Sequence, residues 1–235
     1  SYSYELESVP IQLDAVAKAL SSEASVNYLF MDARSQSERA AALELRRRLD
    51  TWKLLPTIDE VIVAGDPALK FAIDYQQDYF AGLPILFLDV RQPALAAAAV
   101  GNEWIAGAES AVPFRETLSV AARLYPDAAQ VVCIGDGSDA ARGMMGTFYG
   151  LESTFPRLDF KSLDLGELSR DEIRRLMAGY GGETILIYAQ VNRDGGGNCY
   201  SDLQAAELLT NMTALPIFSA NAASLGTGFL GGCVI

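Results

Sequence analysis

Short apolar runs that end in polar turns recur along the chain. The clearest example is 59–72, DEVIVAGDPALKFA, where a Val-Ile-Val run is followed by Asp66, Pro67 and helix-favouring residues. A continuous apolar run is typical of a strand buried on both faces, and an Asp-Pro pair suits the first turn of a helix. The segments 128–143 and 183–198 repeat the arrangement. We therefore expect strand–turn–helix units whose turns open on one edge of a parallel sheet, the edge where such sheets bind ligands.

The other periodic segments complete an alternation of strands and helices. The spacing Ser35–Glu38 and the spacing Ser169–Glu172 both fit a capping box, and Asp66 and Ser138 are placed to cap helices. Strands are predicted at 26–31, 61–63, 84–88, 130–134, 157–163, 184–189 and 215–219, with helices at 10–20, from 35, from 66, and at 114–125, 138–149, 169–178 and 201–212.

The alternation predicts an α/β protein with two Rossmann-like lobes. About seven strands are many for one sheet, and the alanine-rich, glycine-interrupted segment 91–113 breaks the rhythm. We expect an N-terminal lobe over 1–110, a C-terminal lobe over 111–219, and a return segment over 220–235 near a hinge. A ligand held between two lobes is a common arrangement of this kind.

Composition narrows the possible functions. Half of the 235 residues are apolar, enough for a substantial core, and the net charge of −12 disfavours nucleic acid as a partner. The absence of histidine removes Ser-His-Asp and Cys-His catalysis and the commonest metal ligand. The three cysteines lack metal-site spacing, so no metal is expected. A Cys199–Cys233 disulfide remains open, although buried free thiols are favoured.

Three polar motifs could carry chemistry. The glycines of 135–143 only loosely fit a dinucleotide-binding turn, so a helix cap in a glycine-rich turn is favoured. The turn 192–198 lacks the acidic pattern of a Ca²⁺ loop and is either a ligand loop or a surface turn. Asp32 and Arg34 are either a surface ion pair or partners for the ammonium and carboxylate of a zwitterion.

A resemblance runs along nearly the whole chain. YLFMDARS (28–35), VIVAGDPALKFAIDY (61–75), GLPILFLDV (82–90), AARLYPDAAQVVCIGDGS (121–138), VNRDGGG (191–197) and LGTGFLGG (225–232) stand in an order that is similar to one family. The family is the ABC-transporter substrate-binding-protein-like domains that serve as extracytoplasmic sensors of bacterial histidine kinases and diguanylate cyclases.

The resemblance implies a type I periplasmic-binding-protein fold, two lobes that close on a small molecule, no catalysis by this domain and no cofactor. It also implies a strand before Ser1 and a helix after Ile235, so we expect trimmed ends or a longer parent protein. Carried over by position, the ligand-binding residues would be Tyr2, Asp32, Arg34, Asp66, Asp89, Ser138, Asn192, Asp194 and Asn221.

The leading hypothesis is a periplasmic or extracytoplasmic sensor domain that binds a small polar or zwitterionic ligand and signals to a membrane-anchored kinase or cyclase module of the same chain. The alternative is the substrate-binding component of an ABC importer, with a permease as its partner. A nucleotide-dependent enzyme that uses the turn 135–143 is the third reading. The ligand's identity and the oligomeric state, including a homodimer, stay open.

Overall fold

The computed structural model describes residues 8–20, 24–34, 36–53, 55–221, 224 and 226–233, and the structural statements below concern those residues. Their contacts form two compact units, Ser1–Ser110 (unit 1) and Ala111–Ile235 (unit 2). Each unit has one parallel sheet with helices packed against it. The predicted α/β class with parallel sheets is confirmed. None of the described helices has the length and apolar character needed to cross a membrane.

Unit 1 is built on a three-stranded sheet in the order β1-β2-β3. Inward-facing Val63 and Phe87 form its core with Leu45 and Leu69 from the helices. All three strands run parallel, so the turns after β1 and β2 lie at the same edge. The strands are Val61–Ala64 (β1), Ile85–Val90 (β2) and Ile105–Glu109 (β3), and the helices are Ser8–Ala19 (α1), Glu38–Thr51 (α2), Asp66–Asp74 (α3), Gln76–Tyr79 (α4) and Pro93–Val100 (α5).

Unit 2 has a four-stranded parallel sheet in the order β5-β4-β6-β7. Every residue of β6 is buried, as expected for a strand covered on both faces. Val131 and Cys133 of β4 face one apolar cluster, while Val132 and Ile134 face another. The strands are Gln130–Gly135 (β4), Asp159–Asp164 (β5), Thr184–Gln190 (β6) and Ile217–Ser219 (β7), and the helices are Phe114–Leu124 (α6), Asp139–Tyr149 (α7), Arg170–Gly179 (α8) and Asp202–Thr210 (α9).

The strand predicted at 26–31 is not formed within the described part of the chain. No described strand pairs with this segment, and the side chains of Tyr28 and Leu29 are exposed. An apolar run of six residues becomes a strand only where a neighbour offers backbone hydrogen bonds. The pattern alone does not reveal whether that neighbour exists.

The segment 91–113 is more regular than its sequence indicates. It contains α5, where alanine supplies helix propensity after Pro93, and β3, which pairs with β2. Only Ile105 of β3 is buried, which explains the weak apolar signal. Gly107 lies so close to Phe87 that a Cβ atom would collide with that residue's carbonyl oxygen. Both elements belong to unit 1, and the division between the two units falls within this segment, after Ser110.

Several helix starts are recorded locally in the sequence. Ser138 caps α7, and Ser169 and Glu172 form the predicted capping box of α8. Helix α2, however, has Ser37 as its N-cap. The predicted cap Ser35 lies outside the described residues. Because several serines stand near this start, spacing alone could not choose between them.

Candidate functional site

Asp66 joins the ends of β1 and β2 at the carboxyl edge of unit 1. Its buried carboxylate, 4% exposed, accepts hydrogen bonds from the backbone N–H groups of Arg91 (2.9 Å) and Gln92 (3.1 Å) through one oxygen. The predicted cap role is wrong, because Gly65 is the N-cap of α3 and Asp66 is its first residue. Burial raises the pKa of Asp66, and the two backbone bonds only partly offset that effect. The carboxylate therefore holds the β2 turn in place.

Asp89 lies at the end of β2, where the register with β3 shifts. Its backbone is left-handed, with φ of 53°, a conformation that aspartate tolerates better than most residues. Its carboxylate accepts hydrogen bonds from Gln12 Nε2 of α1 (3.0 Å) and from Arg91 Nε (3.3 Å). The predicted ligand residue Asp89 thus stands in a polar cluster at the same edge as Asp66.

Asp32 and Arg34 occupy the turn that precedes α2, and both are partly buried. Asp32 also has a left-handed backbone, with φ of 53°. Among the described residues, Asp32 and Asp89 are the two non-glycine positions with positive φ, and both were predicted as ligand residues. Strained backbone of this kind is concentrated at functional sites. The predicted residue Tyr2 lies outside the described residues.

In unit 2, Asp136 brings together the predicted residues Ser138 and Asn192. Its carboxylate is 3% exposed and uses both oxygens. One accepts from the Ser138 N–H (3.1 Å) and hydroxyl (2.6 Å), and the other accepts from the Asn192 N–H (2.7 Å). The turn before α7 is thereby tied to the turn after β6. Because the Ser138 N–H already donates to Asp136, it is not available to a phosphate group. This disfavours the turn as a phosphate-binding loop.

Asp194 organises the turn after β6 rather than facing solvent. Its carboxylate, 2% exposed, accepts from the Asn198 N–H (2.9 Å), the Asn198 amide and the Tyr200 hydroxyl (2.6 Å). Burial alone would raise the pKa of Asp194, but the bonds from Tyr200 and Asn198 outweigh it and leave the pKa below its ordinary value. The turn 192–198 is thus tightly bonded and closed by a bridge between Arg193 and Cys199.

Asn221 follows β7 within a second bonded turn. Its N–H donates to the Ser219 hydroxyl (3.1 Å), and its carbonyl accepts from the Ser224 hydroxyl (2.6 Å). The chain then returns to the sheet, where Gly231 forms a parallel bridge with Phe218. Asn221 therefore stands at the carboxyl end of β7, the end that also carries the Asp136 and Asp194 turns on β4 and β6.

Both units contain the same arrangement of a buried aspartate, and the sequence analysis predicted only one of the two aspartates, Asp66, as a site residue. In each, a Gly-Asp pair ends the first strand of the strand–turn–helix unit, and the buried aspartate accepts backbone N–H groups from the turn of a neighbouring strand. The repeat of this pair in the sequence was the available signal. Asp136 was not predicted as a site residue, because its partner Asn192 is distant along the chain.

The arrangement can bind and orient a small polar molecule. Its turns present backbone N–H and carbonyl groups, hydroxyls and amides on a supported edge. Within the described residues, no group of three or more histidine, cysteine, aspartate or glutamate side chains could hold a metal ion.

No family model matches the chain, and no curated protein matches it. Among solved structures, the chain is similar to "the ABC domain in complex with L-Trp from Streptococcus pneumonia", a crystal structure at 1.35 Å. The TM-score is 0.67 at 11% sequence identity, and the match covers 96% of this chain and 74% of that chain. At that identity the likeness establishes the fold. It is a periplasmic-binding-protein-like α/β fold with two parallel sheets flanked by helices.

Proposed function

We propose that the chain is an extracytoplasmic small-molecule-binding domain that serves as the substrate-binding component of an ABC importer. The fold supports this assignment. One structural observation carries it: in each unit a buried aspartate, Asp66 or Asp136, fastens the polar turns at the carboxyl ends of the strands. Binding sites need polar groups held in place by such support, because a group that is already ordered loses little entropy on binding.

The proposed ligand is an amino acid or a similar zwitterion. The solved domain from Streptococcus pneumonia holds L-Trp, and its fold is the one found here. Asp32 and Arg34 offer a carboxylate and a guanidinium, which match the ammonium and carboxylate of such a ligand. Asp89, Ser138, Asn192 and Asn221 are the other proposed contacts that lie in the described chain, and Tyr2 completes the set.

Asp66 and Asp194 are proposed as positioning residues. Each carboxylate accepts at least two hydrogen bonds from the chain itself. These carboxylates therefore support the turns that carry the proposed ligand contacts. No reaction is part of the proposal, because binding and release suffice for a substrate-binding component.

The alternative is a sensor domain that signals to a membrane-anchored kinase or cyclase module. The ordered motifs from 28–35 to 225–232 favour this reading. Both functions begin with the same binding event, and the partner separates them. Domains encoded downstream in the same gene would favour the sensor, whereas neighbouring permease genes would favour the importer component.

Calorimetric titration of the full chain with the common amino acids and small carboxylates tests the proposal. We expect saturable binding of at least one zwitterion. Loss of a charge-assisted contact in Arg34→Gln should weaken that binding about tenfold. Arg39→Gln, on the exposed face of α2, is the matched control and should bind normally. Silence across the whole panel would contradict the proposal.

A further inference from the structure

A cavity of about 340 Å³ lies between α8 and α9 of unit 2. Its volume falls within the range typical of small-molecule sites, about 300–1,000 Å³. The cavity is bounded by α8, by α9 and the residues that follow it, and by residues 199–200, which follow the turn after β6. Its lining residues include Arg170 and Arg174 on one side, Glu207 and Asn211 on the other, and Tyr200 and Met212.

The floor of this α8–α9 cavity is apolar and ordered. Tyr200 is 6% exposed and Met212 is 8% exposed, and Leu208 is partly buried beside them. The Tyr200 hydroxyl donates to the buried Asp194 carboxylate, which fixes the ring. A hydrophobic group of a guest molecule would therefore meet a preformed surface.

The α8 wall carries two guanidinium groups one helical turn apart. Arg170 donates through Nε to the Tyr200 hydroxyl (3.0 Å), and its guanidinium lies over that ring, 5.5 Å from the centroid. The Arg170 Nε also lies 3.9 Å from the buried Asp194 carboxylate. These contacts orient Arg170 without using its terminal amino groups, for which no acceptor occurs in the described part of the chain. Arg174 has only an exposed pairing with Asp171 (3.2 Å), which contributes little. Both can donate to an anionic group.

The α9 wall has the opposite character. No cation of the described chain lies within ion-pair range of the Glu207 carboxylate, and Asn211 donates its Nδ2 to the Glu207 carbonyl (2.7 Å). That bond leaves the Asn211 Oδ1 as a second acceptor on this side of the cavity. An ammonium group suits these two acceptors, just as a carboxylate suits the two guanidinium groups opposite.

We propose that the α8–α9 cavity is a second binding site for an α-amino acid with an apolar side chain. The carboxylate of the ligand binds Arg170 and Arg174, its ammonium binds Glu207 and Asn211, and its side chain packs on the floor. This inference goes beyond the proposed function and does not depend on it, since Arg170, Arg174, Glu207 and Asn211 are not among the residues proposed there.

Cys199 provides a local readout, because it is exposed and lines the cavity. The probe is L-leucine, added to the full chain while iodoacetamide alkylates Cys199. Mass spectrometry distinguishes this thiol from Cys233 and from the buried Cys133. We expect L-leucine to slow the alkylation of Cys199. 4-Methylpentanoate and 3-methylbutylamine, which each lack one of its charges, should protect less.

Variants assign the protection to the cavity. Arg174→Gln and Glu207→Gln should each raise the half-protecting L-leucine concentration about tenfold. Arg175→Gln on α8 and Glu116→Gln on α6, whose side chains do not line the cavity, should leave it unchanged. No protection by L-leucine, or equal protection in all four variants, would overturn the proposal.

The same variants separate this inference from the proposed function. Calorimetric binding that persists in Arg174→Gln and Glu207→Gln, without protection of Cys199, supports the polar turns and overturns the cavity site. Protection of Cys199 that is unchanged in Arg34→Gln supports the cavity site, whether or not the turns bind a ligand.

Discussion

Replacing Asp136 by asparagine tests whether a buried carboxylate holds the turns of unit 2. Both oxygens of Asp136 accept backbone N–H groups, from Ser138 on one side and Asn192 on the other. An asparagine has one oxygen and one NH₂ group, so a donor must face one of those N–H groups. Asp66 is the matched control, because a single oxygen accepts both of its backbone N–H groups and an asparagine oxygen can replace it.

The expected cost follows from these contacts. Asp136→Asn loses one charge-assisted hydrogen bond, about 1.5–3 kcal/mol, and leaves a buried donor without a partner, about 1–3 kcal/mol. Allowing for relaxation, we expect a decrease of about 3 kcal/mol in the free energy of unfolding of unit 2. Asp66→Asn should change the stability of unit 1 by less than about 1 kcal/mol, because both accepted bonds survive.

Equilibrium unfolding in urea measures both changes. With a slope of about 2 kcal/mol per molar, a loss of 3 kcal/mol lowers the midpoint by about 1.5 M. Both tryptophans, Trp52 and Trp104, belong to unit 1, so their fluorescence follows that unit while circular dichroism follows the whole chain. If Asp136→Asn proved no more harmful than Asp66→Asn, the role of Asp136 as a two-sided clamp would be refuted.

Other predictions concern pH and backbone conformation. Because the pKa of Asp194 is depressed, its contribution to stability is complete above about pH 4 and is lost as the pH falls through that pKa. Unfolding at a series of pH values should therefore show the advantage of wild type over Asp194→Asn shrinking below pH 4. Because the pKa of Asp66 is raised, the stability advantage of wild type over Asp66→Asn should be greatest below about pH 4 and should fall as the pH rises through the raised pKa. A stability advantage that grew with pH would contradict a raised pKa. Gly137→Ala should destabilise unit 2 by about 1–2 kcal/mol or more in urea unfolding, since φ there is +66° and a Cβ would collide with the Asp164 carboxylate. Gly146→Ala, inside α7 with open space around it, should stabilise by about 0.5–1 kcal/mol, and equal effects of the two substitutions would contradict the geometry.

Local signals in the sequence predicted much of the fold. The run before Asp66 forms β1, and the cap at Ser138 and the capping box at Ser169 start their helices. These features depend on residues within one or two turns of each other, so spacing records them. The alternation of such units was sufficient to indicate parallel sheets.

Features that depend on distant partners were not recorded in this way. Residues 26–31 have the composition of a strand but pair with no strand of the described chain, whereas β3 has a weak pattern and is a strand because it pairs with β2. The contact between Asp136 and Asn192 spans 56 positions of the chain. The sequence placed both residues near strand ends, but only the folded chain shows that one carboxylate serves both turns.

The central claim is that the turns at the carboxyl ends of the strands bind a small molecule. Amide hydrogen exchange of the full chain, with and without the zwitterion selected by calorimetry, tests it most directly. We predict that the ligand slows exchange at 64–67, 89–92, 135–138 and 190–195. Unchanged exchange in these turns at saturating ligand, with slowing confined to other segments, would contradict the claim.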